Sequence, residues 1–235
     1  MKIKKIFEDK YLLVVEKPAG MVVNISATTK NMKTLQDWLV KNGLGDGVER
    51  NGIVHRIDKE TSGALIIAKT EQVMKDLQKQ FKDRKVSKEY LTLVHGEVKP
   101  ATGKIKVPVT RNPFNRTKFG VFVGGKSAET GYQAIGVYKK GQEKFSLLKV
   151  KPKTGRTHQI RVHMKYINHP VVADNLYAGR KTNKKDRLWC VRLFLHAHVL
   201  EVIHPVLNKK MSFEAKLATD LQTVLKKLEK LDGRL

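Results

Sequence analysis

The sequence predicts an α+β fold, a mainly antiparallel mixed sheet with flanking helices. Segments with strand patterning far outnumber amphipathic helical segments, and the two kinds seldom alternate as they would in a parallel α/β protein. A length of 235 residues buries a substantial core and lies at the upper end of what one domain spans, so a single domain over residues 1–235 with room for two lobes is expected. No internal repeat or low-complexity tract interrupts it.

Taken in order, Ile6-Phe-Glu-Asp-Lys-Tyr-Leu-Leu-Val-Val15 reads as a polar turn and a buried strand, ended by Pro18 and Gly20. Thr34 caps a short helix to Lys41, with Leu35, Trp38 and Leu39 on one face. After a glycine-containing loop from Asn42 to Gly52, Ile53-Val54 and Ala64–Ala68 read as two strands joined by a turn at Thr61-Ser-Gly63. Thr70 caps the next helix, which buries Val73, Met74, Leu77 and Phe81. Strands follow at Lys88 to Gly96 and Ile105 to Val109, the latter an edge strand because of Pro108, and Asn112 to Lys118 is an exposed basic loop. Gly124-Gly125 turns the chain into a strand from Ala128 to Tyr138, and Phe145 to Val150 gives another. Thr157 caps a helix toward Ile167 that buries Ile160, Met164 and Ile167 and sets His158 and Arg161 on one face. Leu193 to Ile203 then pairs with Lys210 to Ala215 across a Pro205 turn, and Glu214 to Leu231 forms a closing helix through Leu217, Leu221, Leu225 and Leu228.

Charge narrows the function classes. The 47 basic against 22 acidic residues leave a net +25, which favours a polyanionic partner. No long apolar segment and no basic-then-apolar N-terminal signal is present, so no membrane partner is expected and the chain should be soluble and cytoplasmic. The single cysteine, Cys190, excludes an intramolecular disulfide framework and sits in a core-like Trp-Cys-Val context.

The stretch from Gly52 to Thr70 crowds His55, Arg56, Asp58, Lys59 and Glu60 between two apolar runs. A surface turn requires none of that charge, so Asp58 and Arg56 mark a candidate site; the plainer reading is a solvated ion pair. Other chemistries fail on their residues. His196 and His198 have no nearby cysteine or carboxylate to complete a metal set, Ser62 lacks a nucleophile elbow, and the glycines around Gly124 lack phosphate-loop spacing. No metal and no cofactor is therefore expected. A carboxylate can attack a sugar acetal carbon or stabilise positive charge there, but hydrolysis wants a second carboxylate, and Glu60 is the only close one.

His55-Arg-Ile-Asp-Lys-Glu-Thr-Ser-Gly-Ala-Leu65 resembles the signature of the RluA-type RNA pseudouridine synthases. Asp9-Lys-Tyr-Leu-Leu-Val-Val-Glu-Lys-Pro-Ala-Gly20, Lys88-Glu-Tyr90, Gly155-Arg-Thr-His-Gln-Ile-Arg-Val-His163, His169-Pro170 and Leu195-His-Ala197 are similar to further family motifs, in the family's order, and cover nearly the whole chain. The resemblance implies the pseudouridine synthase catalytic fold with a central cleft, and an isomerase that detaches uracil from ribose within RNA and rejoins it through carbon 5. It implies no cofactor. It assigns Asp58 as the catalytic residue, by attack on the ribose or by proton abstraction to a glycal, with Tyr90 against the base and Arg161 paired with Asp58 to keep it ionised. Arg56 would hold the target nucleotide out of its stack, and Arg156, His55 and His158 are the further substrate-binding candidates; His55, His158 and His163 are equally readable as structural hydrogen-bonders. Two departures bear on loop geometry: Met-Val-Val-Asn-Ile-Ser follows Gly20 where the family often shows His-Pro, and Ala173 stands where glycine commonly precedes the aspartate of Ala173-Asp-Asn-Leu-Tyr-Ala-Gly179.

The chain is expected to start at the catalytic domain without a separate N-terminal RNA-binding extension, so that Lys82 to Lys88, Arg111 to Lys118 and Arg180 to Arg187 grip the RNA. The expectation is a monomer that converts a specific uridine of ribosomal or transfer RNA. Its rivals are a basic RNA-binding assembly factor and a nucleosidic hydrolase.

Overall fold

In chain order the elements are β1 (Lys4–Glu8), β2 (Leu12–Lys17), α1 (Leu35–Lys41), β3 (Ser62–Ala68), α2 (Glu71–Lys82), β4 (Ser87–His95), β5 (Thr102–Lys106), β6 (Thr110–Arg111), β7 (Phe119–Gly120), β8 (Glu129–Lys140), β9 (Glu143–Pro152), α3 (Gln159–Tyr166), α4 (Arg180–Asp186), β10 (Leu195–Ile203), β11 (Lys210–Glu214), α5 (Thr219–Lys226) and β12 (Glu229–Leu231). The structure is a computed structural model that describes residues 3–25, 29 and 32–231. Ser26, the last residue of the stretch that departs from the family after Gly20, lies outside them. The class is α+β with strands paired mostly antiparallel, as the sequence predicts. Contacts divide the chain into two compact units, Met1–Lys88 with Ala197–Lys216, and Glu89–His196 with Leu217–Leu235.

In the first unit β1, β2 and β3 form an antiparallel meander, with Leu12 opposite Ala68 and Lys17 opposite Gly63. Every residue of β3 is buried, as expected of a strand covered on both faces. Leu12, Val14, Ile66, Val73, Met74, Leu77, Val202 and Phe213 make one core, to which α2 contributes a stripe at helical spacing. Thr70 caps α2 by accepting from the Val73 amide at 3.3 Å. Asp9 organises the β1–β2 turn: Oδ1 accepts from Tyr11 and Leu12 amides, and Oδ2 lies 2.9 Å from His204 Nε2.

In the second unit β9 lies between β4 and β8, while β5 pairs with the first half of β8 and β12 with its end. Successive residues of β9 face opposite sides. Leu148 and Val150 pack with Ile160 and Met164 of α3, whereas Phe145 and Leu147 pack with Leu221 and Val224 of α5.

Five local expectations are corrected. Ile53-Val54 forms only a single bridge, Ile53 with Ile67, because the His55 side chain accepts the Ile66 amide that a longer strand would use. The turn is Asp58–Thr61, closed by the Thr61 amide to Asp58 carbonyl bond of 3.1 Å, and Ser62-Gly63 already belong to β3. Thr157 does not cap α3; its N-cap is His158, held at φ +55 with no side-chain cap bond. The edge strand falls at Thr102–Lys106, before Pro108. The closing helix is only Thr219–Lys226: Ala215 stays extended to bond the His198 carbonyl, and Glu229–Leu231 pairs with β8 as Leu228 turns into the core. Helix α4, over Arg180–Asp186, had no sequence expectation because its seven residues carry no apolar stripe.

Candidate active site

The Arg-x-Asp stretch is pinned at both ends by glycines. Gly52 has φ +75 and a Cβ there would fall 1.8 Å from the Ala68 carbonyl oxygen, and Gly63 has φ +118 with a corresponding 2.2 Å approach to the Ala197 carbonyl. No side chain fits either position. Between them Ile53 and Ile57 are buried anchors, Arg56 is exposed, and Asp58 is half-buried at the start of its turn.

Lys17, which sequence reasoning missed, braces that turn. It is fully buried, and its Nζ donates to the carbonyls of Pro18 at 2.8 Å, Met21 at 2.8 Å and Lys59 at 3.2 Å. The Gly20 amide also donates to the Lys59 carbonyl, at 2.8 Å. The Glu-Lys-Pro-Ala-Gly turn is thus tied to the residue beside Asp58. The sequence signal is weak, a lysine after a glutamate at the end of an apolar strand.

His55 stacks on Phe81 with 4.7 Å between ring centroids, and its Nε2 accepts the Ile66 amide at 3.1 Å. Burial, and next the nearby Lys88 charge, push its pKa down to about 3 from 6.5. The folded-state value lies below the unfolded one, so the unfolded chain takes the proton first as pH falls. Stability contributed here is complete above about pH 6.5 and is lost toward about pH 3. Urea midpoints from pH 7 to pH 4 are expected to fall more steeply for the wild type than for His55→Gln, by at most about 4 kcal/mol.

In the second unit Tyr90 stands on β4 opposite Val150, half-buried against Leu148, Val150, Ile160 and Met164. Arg161 is 2% exposed. Its Nε donates to Asp174 Oδ2 at 2.7 Å and its Nη2 to Asp174 Oδ1 at 2.8 Å, a bidentate pair, while the guanidinium lies 5.1 Å from the Tyr177 ring centroid. Asp174 Oδ1 also accepts the Leu176 and Tyr177 amides. The Tyr177 hydroxyl lies 2.9 Å from His158 Nδ1 and accepts the Phe119 amide. Arg156 is half-buried, with Nε donating to the Ser127 carbonyl at 3.2 Å. The structure therefore gathers Arg161 and His158 around Tyr177 and Asp174, and His55, Arg56 and Asp58 on one stretch. Asp174 and Tyr177 were missed as partners, because nothing in sequence distance links them to Arg161.

Ala173 explains the departure from the family pattern. It sits at φ +57, a left-handed position that favours glycine, and is held by its amide donating to Asp186 Oδ2 at 2.8 Å. Asp186 in turn lies 2.9 Å from His95 Nε2.

Residues 11–166 match the family described as RNA pseudouridylate synthase. The chain belongs to that family. A protein named ribosomal large subunit pseudouridine synthase D from Zymomonas mobilis is 39% identical over 234 residues, covering 95% of this chain and 72% of that one. An RNA pseudouridine synthase of Aquifex aeolicus, itself uncharacterized, is 40% identical over 231 residues with the same coverage, 95% and 72%. The solved human RNA pseudouridylate synthase domain containing 1 shares the fold with a TM-score of 0.77 at 24% identity, over 98% of this chain and 89% of that one. The protein is accordingly an isomerase of the pseudouridine synthase family acting on RNA.

Proposed function

We propose that the protein converts a specific uridine in ribosomal or transfer RNA to pseudouridine, with Asp58 as the catalytic carboxylate. The observation that carries the reading is the stretch from Gly52 to Gly63, whose glycines, buried isoleucines and Lys17 brace fix a carboxylate beside an exposed arginine, Arg56, in a member of this family. The names of the Zymomonas mobilis and Nitrosomonas europaea relatives favour ribosomal RNA of the large subunit. Asp58 attacks carbon 1′ as its bond to uracil N1 breaks, or removes the carbon 2′ proton to leave a glycal; the base turns, carbon 5 bonds to carbon 1′ with release of Asp58 or return of the proton, and the carbon 5 proton is removed with help from Tyr90 while N1 takes up a proton. The sum is an isomerisation with no oxidant and no group gained. On the family motif, Arg161 is the proposed counterion of Asp58, and Arg56, His55, Arg156 and His158 are proposed substrate contacts. Of these, Arg56 is best placed by exposure, whereas His55 is engaged with β3. The basic loop from Arg111 to Lys118 supports RNA grip: Phe114, 91% exposed, sits on a turn in which Asn112 Oδ1 accepts the Phe114 and Asn115 amides. The protein is proposed to act as one cytoplasmic domain and as a monomer.

Purified protein incubated separately with ribosomal and transfer RNA should generate pseudouridine, read by mass spectrometry of the digested RNA, without free uracil. Free uracil in place of pseudouridine would establish hydrolysis instead, and no product on any RNA would favour a binding role. Lys17→Met removes the donor from the carbonyls before and beside Asp58, and is expected to lower kcat about 10–100-fold while RNA affinity holds, because misplacement of a reacting group costs rate. Single-turnover rates alongside RNA titrations check it.

A further inference from the structure

The second unit leaves part of one sheet face uncovered. Register places Lys104, Gly131 and Lys151 in one row across β5, β8 and β9, and Thr102, Gln133 and Lys149 in the next. The alternate row, Tyr132 and Val150 with Tyr90 on β4, faces the other side, where α3 packs. Helix α5 covers this face only farther along, over Phe145 and Leu147. What remains is an open groove of ≈ 400 Å³ around Gly131, lined by Lys104, Lys149, Lys151, Gln133 and Thr102.

Gly131 is the informative residue. It lies inside a twelve-residue strand, where glycine weakens the ladder, yet its φ is not positive and an added Cβ would meet nothing nearer than the Lys151 carbonyl oxygen at 3.7 Å. The backbone does not demand glycine there. Gly136 in the same strand, by contrast, borders a bulge and lies against the Tyr138 ring. A strand glycine without a steric reason leaves the backbone open to close approach by another molecule.

The chemistry of the groove is cationic. Glu89 reaches Lys149 at 3.6 Å and Lys151 at 3.3 Å, and Glu129 stands opposite Lys106 one row further. Two carboxylates beside four lysines leave the groove positive, and the lysines at alternate positions of one strand lie about 7 Å apart, a ladder suited to successive phosphates. We propose that this groove binds the phosphodiester backbone of the RNA substrate, away from the reacting uridine and on the sheet face opposite Tyr90. Gly131 admits the strand to the sheet floor, the lysines neutralise phosphates, and Gln133 and Thr102 offer hydrogen bonds to sugar or phosphate oxygens. The proposal takes RNA as the substrate and in that respect rests on the reading above.

The test is fluorescence-anisotropy binding of ribosomal RNA fragments by the full chain across a salt series, for wild type, Lys104→Ala with Lys151→Ala, and Gly131→Glu. The double variant is expected to raise Kd about 10-fold near 0.15 M salt and to lower the salt slope by about 2, one unit per phosphate contact. Gly131→Glu, which fills the groove with an anion, should weaken binding at least as much. Thermal melts unchanged within each variant, and an unchanged kcat at saturating RNA with a raised KM, support the assignment. Unaltered Kd and slope in both variants overturn it, as does a loss confined to phosphatidylglycerol vesicles with RNA binding intact. Binding is read without turnover, so a wild type that binds through the groove but makes no pseudouridine would sink the catalytic reading and leave the groove standing.

Discussion

Asp58→Asn is expected to abolish pseudouridine formation, lowering the single-turnover rate by at least about 10³-fold. The amide keeps the size of the carboxyl group but neither attacks a sugar carbon nor holds an abstracted proton. The main-chain turn does not depend on the charge. The turn at this position is closed by the Asp58 main-chain carbonyl, not its side chain, and the stretch is anchored by Ile53, Ile57 and the Lys17 contacts. RNA affinity should hold or improve, since the substitution removes an anion from a protein of net charge +25. Retention of full activity by Asp58→Asn would refute the mechanism, whereas loss of both activity and thermal stability would point to a structural carboxylate. Carbodiimide-based primer extension on the product RNA, with melting curves on the same preparations, separates those outcomes.

The elements legible in the sequence are those whose hydrophobic pattern and punctuation agree. Thr70 followed by Val73, Met74 and Leu77 states a capped amphipathic helix, and α2 begins there. The Pro205 turn between two apolar runs states a hairpin, and β10 pairs with β11. The end of the chain misleads because Leu217, Leu221, Leu225 and Leu228 keep helical spacing although the chain is helical over only part of that span. Burial in one core is what the leucines share, and Leu228 reaches it from a turn. At the candidate site Asp58 and Arg56 stood out because their charge exceeded what a turn needs. Lys17, Asp174 and Tyr177 did not, because their roles are defined by partners: three carbonyls for Lys17, and a guanidinium thirteen residues away for Asp174. Spacing rules speak for faces of one element and are silent on bonds between a helix and a loop.

Asp174→Ala should be the most damaging single substitution for stability in the second unit, at about 3–5 kcal/mol. Asp174 is fully buried and Arg161 is 2% exposed, so removing the carboxylate takes from a buried guanidinium its bidentate partner. Two backbone amides, of Leu176 and Tyr177, lose their acceptor at the same time. Against the total of roughly 5–15 kcal/mol typical of a folded domain, this is a large share, and the melting temperature should fall by the order of 10 °C. Asp174→Asn separates the two contributions, since its side-chain oxygen still accepts the amides while the charge is gone; its melting temperature should lie between those of Asp174→Ala and the wild type. The decisive variant is the double one, Arg161→Met with Asp174→Asn. If the cost is the cation's loss of this bidentate partner, removing Arg161 as well should recover part of the stability lost in Asp174→Ala, because the cation is then gone too. If instead the double variant is less stable than Asp174→Ala, the bidentate pair is a net contributor and not merely a mutual neutralisation, and Arg161 would be holding the Asp174–Tyr177 loop against α3 as well as supplying a positive charge.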